Sequence, residues 1–205
     1  AVLIGLLEWG NDRTLGGQDL WVRPMTAVFT SMMARSGGFN TVPTEHMSGA
    51  THLVLDMLMF VGGGSASTAG GIKVTTLAIL FIAAFAEARG NQDLGVYERR
   101  IPSDVVRLAV SVVLWGASIV AVASVVILRI TNAPLDEVLF DVISAFATCG
   151  LSAGLTGNDL EAEAKYVLAV TMLLGRVGTV TLATALSGTH RTTVYRRAAE
   201  RPIVG

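Results

Sequence analysis

The chain has 205 residues, 52% of them hydrophobic and 15% charged, with a net charge of −1 and a mean hydropathy of +0.59. A charged share so far below the ~25% usual in soluble domains points to a membrane protein, and a net charge near zero excludes the basic field that nucleic-acid binding needs. Cys149 is the sole cysteine, which excludes an intrachain disulfide and leaves the redox compartment open.

Residues 1–10, AVLIGLLEWG, read as the last turns of a helix that begins upstream, with no basic stretch of a signal peptide ahead of them. The expectation is a piece of a longer membrane protein. Residues 24–41, PMTAVFTSMMARSGGFNT, open on a proline, continue as a short helix-compatible run and then meet glycine. That length suits a re-entrant half-helix, because a full crossing needs ~20 residues. Residues 52–61 and 74–86 are apolar, yet each is too short to cross alone. Together with the stretch between them, GGGSASTAGGIK at 62–73, they form one broken crossing. Irregular backbone exposed to lipid is costly at each unpaired group, so such a break must line protein or a water-filled cavity. His52 and Asp56 stand four apart on one helix face, with His46 nearby. Lacking a third or fourth ligand, they read as an interfacial pair near the outer surface rather than a zinc site.

Residues 105–130, VVRLAVSVVLWGASIVAVASVVILRI, form the clearest crossing, with charge only near the ends at Arg107 and Arg129. Pro102, Ser103 and Asp104 mark its start, with Ser103 or Asp104 as the expected cap. Residues 134–152, PLDEVLFDVISAFATCGLS, repeat the half-helix pattern of 24–41. Residues 166–186 form a further span, interrupted at Gly175, Arg176 and Gly178. Arg89, Arg99, Arg100 and Arg107 crowd one connection, and Arg191, Arg196, Arg197 and Arg201 crowd the tail. The loop at 154–166 instead carries Asp159, Glu161 and Glu163 against Lys165. The positive-inside rule then makes the basic connection and the C-terminus cytoplasmic, and both half-helices enter from outside. Trp9, Trp21 and Tyr166 suit membrane-boundary belts.

The two halves resemble each other. Setting Gly38 against Gly150 pairs Ser36 with Thr148, Gly37 with Cys149 and Phe39 with Leu151. Repeated membrane units with glycine-broken helices in matching places point to a site between the repeats. A half-helix that ends near mid-membrane directs the negative end of its dipole at the segment beyond it, which favours a cation there. Glycine lets the next carbonyls turn toward an axis, and rings of carbonyls can replace the water shell of potassium. Taken singly, each glycine could merely end a helix in a left-handed turn. Its occurrence in both halves favours a filter, with Cys149 a small packed residue. The stretch 62–73 is no phosphate loop, since Ile72 separates Gly71 from Lys73 and Val74 stands where Ser or Thr is needed. Arg176, costly at mid-membrane, reads as an electrostatic barrier or a latch to the glycine stretch, or else as a partner for helix-end carbonyls. Lys73 could snorkel toward the cytoplasm. No nucleophile and base stand together, so the chain is expected not to be an enzyme.

ARSGGFNT, MFVGGGSASTAGGIKVTT, FDVISAFATCGLSAGLT and MLLGRVG together resemble the Trk/Ktr/HKT superfamily of potassium transporters. The tail AERPIVG is more similar to the Ktr-type pore subunit, the KtrB family, than to Trk-type chains. The resemblance covers nearly the whole chain. It implies an all-α integral membrane fold, potassium-channel-like, with two of four helix–pore-loop–helix repeats present. The third would occupy 1–90, incomplete at its N-terminus, and the fourth 91–205 with a cytoplasmic tail. It further implies a filter at Ser36, Gly37, Gly38 and Phe39, and at Thr148, Cys149, Gly150 and Leu151. The implied gate begins with Gly62, Gly63, Gly64, Ser65 and Ala66 and continues through Ser67, Thr68, Ala69, Gly70 and Gly71. Lys73 and a buried arginine of the last repeat, Arg176, would border it. Where the family often has proline in this loop (GGSPGSTAGG), the chain reads GGGSASTAGG, so loop stiffness could differ.

Potassium uptake across the plasma membrane is the implied activity, with sodium as an activating or coupled ion and no organic cofactor on this chain. The implied partners are the N-terminal half of the same subunit, a second copy in a homodimer, and a cytosolic nucleotide-binding regulatory ring (KtrA-like). Two other classes stay open on the residues alone. One is a secondary transporter that binds a small solute at a discontinuous helix. The other is a noncatalytic structural membrane subunit.

Overall fold

The computed structural model describes residues 1–64, 67, 69–89, 95–96, 99–157 and 160–178. Helix length separates the elements into two kinds. The long one is α5, Ser103–Thr131, whose 29 residues reach ~43 Å against a hydrocarbon core of ~30 Å. Among the described residues it is the one helix long and apolar enough to cross a membrane. It starts directly after Pro102, which is its N-cap and makes no side-chain cap bond. The expected capping by Ser103 or Asp104 is therefore corrected. Pro102 already holds the extended dihedrals of a cap, which moves both residues into the first turn. There Asp104 still faces the positive end of the helix dipole. Asn132 closes the far end with φ of +49°, its N–H bonded to the Leu128 carbonyl.

The half-helices are α2, Val22–Met33, and α6, Leu135–Phe146, at 12 residues each. Neither reaches ~20 residues, as their proline and glycine boundaries predict. Pro24 lies in the first turn of α2, where its missing N–H leaves no bond unmade. α6 is the centre of the core. Val138, Phe140, Asp141, Val142 and every residue from 143 to 146 are buried. Around it pack α3 (Gly49–Phe60), α5 and α7 (Ala162–Leu173). Leu55 and Met59 of α3, Ile72 and Ile127 fill the space beside Phe140 and Phe146.

The apolar runs expected to be the two arms of a broken crossing form α3 and α4 (Val74–Ala88). Their inner ends are stitched together. Val61 and Ile72 form a parallel bridge, and the Gly62 N–H donates to the Ile72 carbonyl at 2.8 Å. The glycine stretch between them leaves and returns at one place, as a loop rather than an open linker. α7 runs into a π-helical turn, Leu174–Gly178. Gly175 is required there, because a side chain would overlap the Phe146 carbonyl oxygen at the end of α6. The rest of the expected 166–186 span, the basic tail and Ser65, Ala66 and Thr68 lie outside the described residues. Two short strands, β1 (Gly95–Val96) and β2 (Arg99–Arg100), pair antiparallel in the basic connection.

α1, Val2–Glu8, packs on α2 and α3 and ends in a buried carboxylate. Glu8 is 0% exposed. Its Oε2 accepts from Asn11 Nδ2 at 2.7 Å and Thr14 Oγ1 at 2.6 Å. Its Oε1 accepts from the Ser48 N–H at 2.8 Å and Thr51 Oγ1 at 2.6 Å. One side chain thus ties the end of α1 to the first turn of α3. Glu8→Ala is expected to destabilise the protein by about 3 kcal/mol or more, because a charged acceptor is lost and buried donors are orphaned. Thermal unfolding in detergent measures it, and Glu8→Gln should lose less.

Candidate functional site

The loops after α2 and α6 begin alike. Carbonyls at the end of α2 are used locally, with the Gly37 and Gly38 N–H groups both donating to Met33 O at 3.0 and 3.1 Å. At the end of α6, the Cys149 N–H donates to Ser144 O at 2.9 Å, and the Gly150 N–H to Ser144 Oγ at 3.2 Å. Each chain then takes positive φ at alternate residues. Ser36 is at +70° and Gly38 at +68°, while Thr148 is at +51° and Gly150 at +98°. These are the pairs that the repeat alignment sets opposite each other. Glycine takes such dihedrals freely, but Ser36 and Thr148 hold them at a cost of ~1–2 kcal/mol each. A β-branched residue there is an outlier, and strain of this kind clusters at functional sites.

The two loops touch. A Cβ on Gly38 would overlap the Cys149 carbonyl oxygen and lie 3.3 Å from Gly150 Cα. Ser36 Oγ donates to Ala147 O at 3.4 Å, and Cys149 Sγ donates to Met33 O at 3.4 Å. Each loop therefore bonds the end of the other loop's half-helix. Cys149 is buried, as its small-residue reading requires. Leu151 is buried as well, whereas Phe39 is 73% exposed.

The glycine stretch lies against the second of these loops. The Gly70 N–H donates to Thr148 Oγ1 at 3.0 Å, and a Cβ on Gly70 would come within 2.9 Å of the Thr148 side chain. The Gly71 N–H donates to Gly175 O at 3.3 Å, and Gly71 itself has φ of +73°. Gly62 has no room for a side chain beside Gly70 O. Gly64 and Ser67 close a turn through the Ser67 N–H and Oγ, both on Gly64 O. Lys73 does not snorkel away. Its Nζ donates to Ala69 O at 2.6 Å and Ser67 O at 3.1 Å, folding the charge onto the loop. Arg176 sits in the π turn next to Gly175, and its side chain is exposed rather than buried. The π turn brings the Gly175 backbone to the loop.

His52 and Asp56 are enclosed by protein rather than exposed at the surface. Both are buried, because α3 lays this face on α6. The His52 ring packs at 5.1 Å on Phe140, and its Nε2 donates to Thr44 O at 2.8 Å. Among the described residues, no group of three or more His, Cys, Asp and Glu side chains could hold a metal ion. Sequence reasoning passed over Asp141. Its Oδ1 accepts from the Ala153 N–H at 2.7 Å, and its Oδ2 from Ser152 Oγ at 2.8 Å and the Thr156 N–H at 3.1 Å. An acid in the middle of the apolar half-helix 135–146 was the available signal.

The family described as "TrkH: Cation transport protein" matches residues 11–193. The chain belongs to this family. Its members are integral membrane transport proteins and not enzymes. Ktr system potassium uptake protein B of Vibrio alginolyticus is 36% identical over 187 residues, covering 91% of this chain and 41% of that protein. Ktr system potassium uptake protein D of Bacillus subtilis (strain 168) is 35% identical over 204 residues, with 98% and 45% covered. Potassium/sodium uptake protein NtpJ of Enterococcus hirae is 33% identical over 188 residues, with 90% and 42% covered. The crystal structure of the potassium transporter TrkH from Vibrio parahaemolyticus superposes with a TM-score of 0.75 at 22% identity, over 92% of this chain and 42% of that one. That likeness establishes the shared helical fold. The chain spans about two fifths of the length of these relatives.

Proposed function

We propose that this chain carries the third and fourth helix–pore-loop–helix repeats of a potassium-translocating pore subunit. The observation that carries the reading is the meeting of Gly38 with Cys149 and Gly150, each loop following a half-helix and each alternating in the sign of φ. Carbonyls of 36–39 and 148–151 supply half of a ring that replaces the water shell of potassium, and the first two repeats supply the rest. The negative dipole ends of α2 and α6 favour the cation at that ring. Coverage of about two fifths of the relatives fits two repeats of four.

The loop 62–71 acts as the gate. Gly70 rests on Thr148 at the foot of the second filter segment, so the loop lies across the path an ion takes on leaving it. Lys73, folded onto the loop, and Arg176 on the adjoining turn place positive charge there and raise the barrier to a cation. The basic connection and the C-terminus face the cytoplasm. A second copy completes a homodimer, and a cytosolic nucleotide-binding ring moves the loop on binding ATP, ADP or NAD. The names of two relatives support potassium as the ion taken up, and the potassium/sodium relative supports sodium as a coupled or activating ion.

Gly150→Ser tests the filter. Gly150 has φ of +98°, a conformation that a serine holds only under strain, so its carbonyl should shift. The expected result is a lower preference for potassium over sodium in vesicles holding the full-length subunit. Unchanged ion-competition curves would contradict the reading.

A further inference from the structure

We propose that Asp141 is the positioning residue that holds the fourth-repeat filter segment in its selective shape, through a brace that also anchors it to the third repeat. The inference rests on the potassium-pore reading above. Asp141 is 3% exposed, on α6, and its carboxylate is satisfied by three donors that all come after the filter in the chain. The chain from Gly150 to Ala153 is therefore pinned at both ends by its own half-helix. Ser144 Oγ takes the Gly150 N–H, and Asp141 Oδ1 takes the Ala153 N–H. Leu151 and Ser152 alone lie between those two anchors.

Ser152 extends the brace into the other repeat. Its Oγ donates to Asp141, while its carbonyl accepts from Thr44 Oγ1. Thr44, in the 3-10 turn Thr44–His46, presents its own carbonyl to His52 Nε2 of α3. A continuous path thus runs from α6, through the residues after Gly150, to the third repeat. The third repeat holds its own loop differently. The alignment that pairs Gly38 with Gly150 sets Phe29 against Asp141 and Met32 against Ser144, so α2 has no polar side chain at either position.

Burial strengthens these bonds, because a charged acceptor in a low-dielectric interior binds its donors more tightly than in water. A filter separates ions by where its carbonyls stand, and positioning groups must hold such sites to within ~0.5 Å. Releasing Ala153 and Ser152 frees the chain directly after the filter glycine and should widen the ring before it unfolds the bundle.

The experiment compares Asp141→Ala, Asp141→Asn, Ser152→Ala and Thr44→Val in the full-length pore subunit, reconstituted into vesicles. Potassium uptake is measured under rising sodium, alongside the yield of monodisperse protein. Asp141→Ala is expected to lower the preference for potassium at least about fivefold, from the loss of hydrogen bonds to a charged group. Asp141→Asn, Ser152→Ala and Thr44→Val should shift it less and in the same direction, at normal yield. Folded variants with wild-type competition curves would overturn the proposal, even where their thermal stability falls. If Asp141→Ala does not fold, unchanged competition in both Ser152→Ala and Thr44→Val overturns it. A wild-type protein without potassium preference is a different result, since it overturns the pore reading itself.

Discussion

Gly38→Ala is expected to cut potassium flux through the full-length subunit on the order of tenfold or more while leaving a folded protein. Two costs combine at this position. Alanine at φ of +68° carries the left-handed penalty that glycine escapes. Its Cβ would also overlap the Cys149 carbonyl oxygen, which is backbone and cannot swing aside as a side chain would. Either the Gly38 backbone changes conformation or the two loops separate. Both outcomes move carbonyls of two repeats at once, which sets this substitution apart from Gly150→Ser. At Gly150 an added Cβ meets only Gly38 Cα, at 3.7 Å, so the effect there comes from dihedral strain alone. Flux of potassium into vesicles at matched protein density measures the difference. Near-normal flux in folded Gly38→Ala protein would show that the contact between the loops is not on the ion path.

Deleting residues 64–70 is expected to have the opposite sign and raise potassium flux severalfold. The deletion removes Gly70 and its bond to Thr148, along with the Ala69 and Ser67 carbonyls that hold Lys73. The ends of the stretch survive it, because Val61 and Ile72 bridge directly and the Gly62 N–H bonds to Ile72 O. The helices α3 and α4 thus stay joined across a short connection. A plug should then be gone without loss of the scaffold that carried it. Normal or reduced flux in a well-folded deletion variant would count against a gate and leave the stretch a structural joint.

The long apolar helix, the two short helices that open on proline and the pair of short apolar helices flanking the glycine stretch were legible in the sequence because each is a local property. The apolar run at 105–130 became Ser103–Thr131, and the runs opening on Pro24 and Pro134 became 12-residue helices. Length, proline and glycine settle these without reference to the rest of the chain. The alignment of Gly38 with Gly150 rests on few identities, and the positions it pairs, Ser36 with Thr148 and Gly38 with Gly150, share positive φ. The features that escaped depend on distant partners. Neither Ser36 nor Thr148 is a residue type that announces a left-handed backbone. Glu8 gains its meaning from Ser48 and Thr51, some 40 residues along the chain. The burial of His52 and Asp56 follows from α6 covering α3, which the i, i+4 spacing cannot report. Arg176, expected to face the bundle interior or water, is exposed on the π turn at 174–178.

The central claim is that potassium passes between the glycine loops of the third and fourth repeats. Potassium uptake by the reconstituted full-length subunit, measured under sodium competition for wild type and Gly38→Ala side by side, tests it most directly. The expected result is uptake by the wild type that resists equimolar sodium, and a variant in which uptake falls and sodium competes. Equal uptake and equal competition curves in the two proteins would contradict it.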